Sequence, residues 1–289
     1  MTSFALLQEP PTVDETVTLY NITLEEEQVL AQFLVEYPAH SVVQPGKVLR
    51  FLRARKQDLE LTNDMLNNHL EWIERVQPNK ISAADVDKNA MDSGCWRYLG
   101  LSDDGSPVVW VQVSLWNPHE YDNTSYEIYV AYFESMLERQ MITNTFNVVV
   151  FDMSGWAFWH ASYLGYIKIL VDIAQNQYPE RLRRVVLVNA PFLFRASWVV
   201  VIRPWLDPVT AAKVVFVSGV EAIQEEFAMQ NISNHVVPMT YGGEVDESSL
   251  VIPGFPMTGG AGEEKKEEVQ EDDDNEEEDE DEEEEGLTF

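Results

Sequence analysis

The chain has 289 residues, 45% of them hydrophobic, and a formal net charge of −31. That length carries one large domain with an appendage, or two domains, and the apolar share supports a sizeable core. The acid excess argues against general nucleic-acid binding. The single cysteine, Cys95, excludes an internal disulfide or a cysteine-based zinc site and fits a reducing cytoplasm.

The charge is unevenly spread. Residues 263–285 hold 18 acidic and 2 basic side chains, a net of −16, which leaves −15 for the rest. Basic residues gather at Lys47, Arg50, Arg53, Arg55 and Lys56, and again at Arg181, Arg183 and Arg184. A local anion site is therefore expected, not a basic surface. Residues 1–22 read as a flexible N-terminus, with no basic start and long apolar run of a signal peptide. No apolar run is long enough to span a bilayer, so any membrane contact is expected to be peripheral.

Residues 23–80 read as a small helical domain. Thr23-Leu24-Glu25-Glu26 is a capping box that opens a helix to about Val35, and Tyr37-Pro38 closes it. Pro45 opens a second helix to about residue 55, with Val48, Leu49 and Leu52 on one face. A third runs from Glu60 to Arg75.

The larger domain is expected over 81–248. Two β-rich runs, 95–101 and 107–113, flank a loop containing Asp104-Gly105 and predict a hairpin. Tyr126 to Thr143 reads as a helix with a Met-rich, aromatic face. Then come a strand ending on Asp152, a helix over Ala161–Gln177, a strand over Val185–Val188, an apolar segment and a further strand. That order predicts an α/β fold with a parallel sheet. The segment 192–206 is apolar nearly all round, broken by Arg195, Ser197, Arg203 and Pro204. Such a helix needs protein, lipid or a hydrophobic ligand to cover it. An amphipathic helix follows residue 218, Gly242-Gly243 marks a tight turn, and 249–289 reads as a linker and disordered acidic tail.

Catalytic patterns are lacking. The five histidines form no close pair at metal-ligand spacing, and there is no G-x-S-x-G elbow or P-loop. Asp152 reads as a strand-end turn residue. No enzyme activity, metal or cofactor is expected.

Four motifs carry a family resemblance: VLRFLRARK at 48–56, YPERL at 178–182, VNAP at 188–191, and LDPVT at 206–210 followed by Lys213. In this order they resemble the CRAL-TRIO lipid-binding family, and within it the phosphatidylinositol/phosphatidylcholine transfer proteins. The resemblance implies a βαβ sheet floor under a helical gate. It implies a gate and membrane contact at Phe194, Trp198, Val199, Val200, Val201, Ile202 and Trp205. It implies that Arg55, Lys56, Glu180, Arg181 and Lys213 hold a phosphatidylinositol headgroup, for which Arg and Lys are chemically suited. Members that bind phosphatidylcholine carry hydroxyl residues where this chain has Asn147 and Val149, so choline-lipid binding is expected to be weak. A cytoplasmic monomer that touches membranes transiently, with a lipid kinase as candidate partner, completes the expectation. The alternatives are a carrier of a sterol-like or tocopherol-like ligand, or an adaptor whose pocket is filled by Trp156, Phe158 and Trp159.

Overall fold

The computed structural model describes residues 21–141 and 145–248. Most of the expected N-terminal segment, and all of the linker and acidic tail, lie outside them.

Three helices come first. α1 (Leu24–Glu36) begins at the capping box: Glu26 N donates to the Thr23 hydroxyl at 3.2 Å, and Thr23 N donates to the Glu26 carboxylate at 3.0 Å. α2 (Pro45–Ala54) has its proline at the first helical position, where the missing N–H costs nothing. α3 (Leu59–Val76) is capped by Asp58 and stops at Gln77, which turns left-handed. Phe33, Val48, Phe51, Leu52, Met65 and Leu66 form their shared core. The far end of α3 joins the main core, where Trp72 meets Tyr178 edge-on at 5.9 Å.

The rest comprises α4 (Lys88–Asp92), β1 (Trp96–Leu101), β2 (Pro107–Gln112), α5 (Asn123–Gln140), β3 (Asn147–Asp152), α6 (Leu164–Asn176) and β4 (Leu182–Val188). A lid segment follows: α7 (Phe192–Ser197), a π turn (Trp198–Ile202) and a 3-10 turn (Arg203–Trp205) that holds Pro204. Then come α8 (Pro208–Ala212), β5 (Val214–Val217) and α9 (Val220–Met229). β4 starts three residues before the apolar run predicts, because Leu182 and Arg184 already pair with β3.

The sheet order is β1-β2-β3-β4-β5, with β1 antiparallel to β2 and every other pair parallel. Strand order follows chain order, so right-handed crossovers put α5, α6 and the lid on one face. The other face is sealed: Trp110, Val148, Val150, Val186 and Val188 pack against Ile223, Phe227, Val237 and Tyr241. Asp152 takes part as a turn residue, accepting from Ser154 N and the Tyr241 hydroxyl, both at 2.9 Å.

The paired glycines make the last docking possible. Gly242 sits at φ +82°, and a Cβ on Gly243 would lie 1.9 Å from the Val237 carbonyl oxygen. That oxygen already accepts from Val245 N at 2.9 Å. Gly243→Ala must open this pairing, and we expect a loss of about 3 kcal/mol, the upper range for overpacking. A urea midpoint equal to that of the parent chain would contradict the tight approach.

Candidate functional site

The period-2 alternation of the strands sets up a hollow. Val109, Val111, Asn147, Val149, Phe151, Val185, Leu187 and Val214 all point to the face that carries the crossovers. Ile167, Leu170, Val171 and Ala174 of α6 face them, as do Phe194, Trp198 and Ile202 of the lid. The empty space between sheet and helices is about 1400 Å³, its open mouth included. Its walls are almost wholly apolar.

The lid has two apolar sides. Phe194, Ile202 and Trp198 turn inward, with Trp198 5.9 Å edge-on from Phe216. Val199 and Val200 turn outward, the latter 75% exposed, beside the exposed Phe192, Leu193 and Val209. Of the residues expected at the gate and membrane contact, Phe194, Trp198 and Ile202 thus line the hollow, Val199 and Val200 are exposed, and Val201 is only partly accessible. The expected pocket fillers divide likewise. Trp156 lines the hollow against Phe194 at 5.7 Å, whereas Phe158 is 74% exposed and Trp159 stacks on His119 at the surface. Residues 153–171 and 181–206, which include the lid and the turn beside it, contain no acidic side chain in a chain that has 50.

One end of the hollow is polar. Glu134, Asn147, Tyr178 and Arg181 line it. Just behind them, Glu138 on α5 gathers three cations. Its Oε1 accepts from Arg181 Nη2 at 2.7 Å and from Arg50 Nη2 at 3.0 Å, while Lys47 lies 3.9 Å from Oε2. Burial pushes the Glu138 pKa up, but Lys47, Arg181 and Arg50 outweigh it and hold the carboxyl well below the usual range. Glu134, one turn earlier, behaves oppositely. Burial, and then the charge on Glu138, push its pKa up to about 7 against the partial pull of Arg181 and Arg50. Burial pushes Lys47 down, opposed by Glu138. Asn147 is buried, and neither its Oδ1 nor Arg181 Nε has a partner among the described residues. The pattern of the sequence singled out neither Glu134 nor Glu138, because two carboxylates four residues apart on a helix look like a solvated face.

The parallel sheet places the motif residues at one edge. Glu180 and Arg181 precede β4, Lys213 precedes β5, and Asn147 begins β3, so all four lie at the N-terminal ends of parallel strands. Arg50 donates to the Pro179 carbonyl at 3.2 Å and so draws α2 to the same edge. Arg55 borders a surface hollow there with Asn176 and Gln177, and Lys56 is exposed. Lys56 and Glu180 both adopt left-handed backbone, at φ 53° and 57°. Such strain in non-glycine residues gathers at functional sites. Arg181 also donates to Thr145 O at 3.2 Å. No hydrogen bond or ion pair joins the five residues to one another among the described residues. Among the same described residues there is no group of three potential metal ligands and no helix long and apolar enough to cross a membrane.

The family model for the CRAL/TRIO domain matches residues 91–243, more than half of the chain. The chain belongs to the CRAL/TRIO family. It is 32% identical over 222 residues to the SEC14 cytosolic factor of Candida glabrata, covering 70% of this chain and 72% of that protein. It is 28% identical over 233 residues to the phosphatidylinositol transfer protein CSR1 of Eremothecium gossypii, covering 75% of this chain and half of that one. The crystal structure of Sfh5 superposes with a TM-score of 0.61 at 16% identity, covering 77% of this chain and 88% of that one, and so shares the CRAL/TRIO fold. The five-stranded sheet and the helices over it are thus the α/β fold of that family.

Proposed function

We propose that this chain binds phosphatidylinositol in its gated hollow and carries or presents it between membranes. The observation that carries the reading is the lid: one apolar side closes an apolar cavity, and the other is exposed to solvent. Two acyl chains with about 30 methylenes represent roughly 24 kcal/mol of transfer free energy at ~0.8 each. Water cannot accept such a cargo, so loading requires a lid that opens against a bilayer. The exposed Val199–Val200 edge, with Phe192 and Leu193, supplies the contact.

The phosphate is engaged at the strand edge by Arg55, Lys56 and Lys213, with Glu180 accepting from ring hydroxyls and the Arg181 Nε–H left for an inositol hydroxyl and not for the phosphate. Kinship with a protein named as a phosphatidylinositol transfer protein supports this choice of lipid. No reaction and no cofactor enter the reading. It places the chain in the cytoplasm as a monomer with transient membrane contact, and a lipid kinase is the partner to which the lipid would be presented.

A second reading is favoured by one observation. A carboxyl whose pKa is pushed up to about 7, lining the same hollow as an unpartnered amide oxygen, also suits the hydroxyl of a sterol-like ligand. Mass spectrometry of lipids that co-purify with the chain separates the two. Phosphatidylinositol is expected to dominate, and Lys213→Glu is expected to lower its yield about tenfold or more, the loss of one charge-assisted contact. A sterol as the main ligand, or no change in Lys213→Glu, would overturn the headgroup assignment.

A further inference from the structure

We propose that Glu138, just behind the polar end of the cavity, is a resident counter-ion that takes up the cations a lipid phosphodiester would need there. It thereby excludes phospholipids whose phosphate must sit there, phosphatidylcholine among them. The proposal rests on the reading that the hollow takes a phospholipid, and adds the residue that selects which one.

The geometry is that of a bound anion. A carboxylate and a phosphodiester each present two oxygens sharing one negative charge, and both suit a guanidinium fork. Glu138 has Arg50 and Arg181 on one oxygen and Lys47 near the other, drawn from α2 and from the edge of β4. Arg181 is buried and lines the cavity, yet Glu138 and the Thr145 carbonyl claim its two terminal nitrogens. A lipid phosphate entering here meets a charge of its own sign on the cation it needs. Displacing Glu138 would strand a carboxylate in a poorly hydrated place, which is costly. The neighbouring wall offers no compensation, since Val149 follows Asn147 on the same strand face and has no hydrogen-bonding group. A lipid whose phosphate stays outside, near Lys213 and Arg55, escapes this conflict.

Glu134 bears on the test. It faces Glu138 along α5, Arg50 from α2, and Tyr178 and Arg181 from the segment before β4. Removing the Glu138 charge removes one cause of its neutrality, so Glu134 can ionise and take over part of the role. Two variants are therefore needed. Glu138→Gln keeps the shape. Lys47→Gln combined with Glu134→Gln and Glu138→Gln removes both carboxylates and one cation. It leaves Arg50 and Arg181, the same net charge of +2 that Lys47, Arg50, Arg181 and Glu138 carry in the parent when Glu134 is protonated.

Each full-length protein is incubated with vesicles of equal phosphatidylinositol and phosphatidylcholine content, recovered, and its bound lipid measured by mass spectrometry. The ratio of choline lipid to inositol lipid is expected to rise in Glu138→Gln and to rise about tenfold or more in the triple variant, the worth of one or two charge-assisted hydrogen bonds. An unchanged ratio in whichever variant melts cooperatively overturns the proposal. The parent protein reports separately on the broader reading: if it takes up no phosphatidylinositol, the inositol assignment fails. Gain of choline lipid by the variants still decides the role of Glu138.

Discussion

Replacing Val199 and Val200 together by Asp will lower phosphatidylinositol exchange between vesicles at least about 100-fold and leave the melting temperature unchanged. Both side chains are exposed, so folding does not depend on them. Each contributes roughly 1.5 kcal/mol or more when it leaves water for lipid. An aspartate in the same place costs about 2.5–3.5 kcal/mol in the bilayer interior. Losing only the valine contribution, about 3 kcal/mol, already amounts to a factor near 100. The control is Leu24→Asp on α1, a substitution at a site 80% exposed but remote in sequence from the lid. Equal exchange by the lid variant and the control would remove the lid as the contact surface.

The second large effect concerns Glu134. Its pKa is raised in the folded chain from 4.5 to about 7. Between those values the folded state holds more protons than the unfolded one, so stability falls as pH rises through that window. A difference of 2.5 pH units at about 1.36 kcal/mol each gives a ceiling of about 3 kcal/mol. Glu134→Gln is therefore expected to be more stable than the parent at pH 8, by up to about 3 kcal/mol, and equally stable at pH 4.5. Glu138 works with the opposite sign. Its lowered pKa gives stability that is present above its unfolded value and is lost as pH falls toward its folded one. Urea titrations at pH 4.5, 6 and 8 measure the Glu134 slope, and titrations below pH 4.5 measure that of Glu138. A Glu134→Gln variant whose stability relative to the parent is the same at pH 4.5 and pH 8 would show that Glu134 is not held neutral.

These two predictions divide along the line between what a linear sequence displays and what it hides. The capping box at Thr23, the hairpin around Asp104-Gly105 and the turn at Gly242 are local, because each is specified by residues within a few positions of one another. The parallel sheet follows from the alternation of apolar runs and helices. The lid is readable as an apolar segment, but not which side of it faces out. The π turn at Trp198–Ile202 sets that, and neither composition nor spacing announces it. Glu134 and Glu138 are the larger omission. Their meaning comes from Arg50 and Arg181, which meet Glu138 from 88 and 43 residues away. A helix surface in sequence is only a pattern, and burial by distant cations is invisible in it. The same contact alters the reading of Arg181: its residue type suits a phosphate, while its partner has already answered that charge.

The two acid-free stretches have a kinetic consequence. An object with 50 carboxylates and a net charge of −31 is pushed away from an anionic bilayer on most approaches. At physiological salt that repulsion reaches only about 8 Å. In the proposed membrane contact, approaches with the lid foremost would meet the least repulsion, so docking there would require no attracting basic patch. Added salt weakens the bias, and encounters with anionic vesicles then become more frequent and less well aligned.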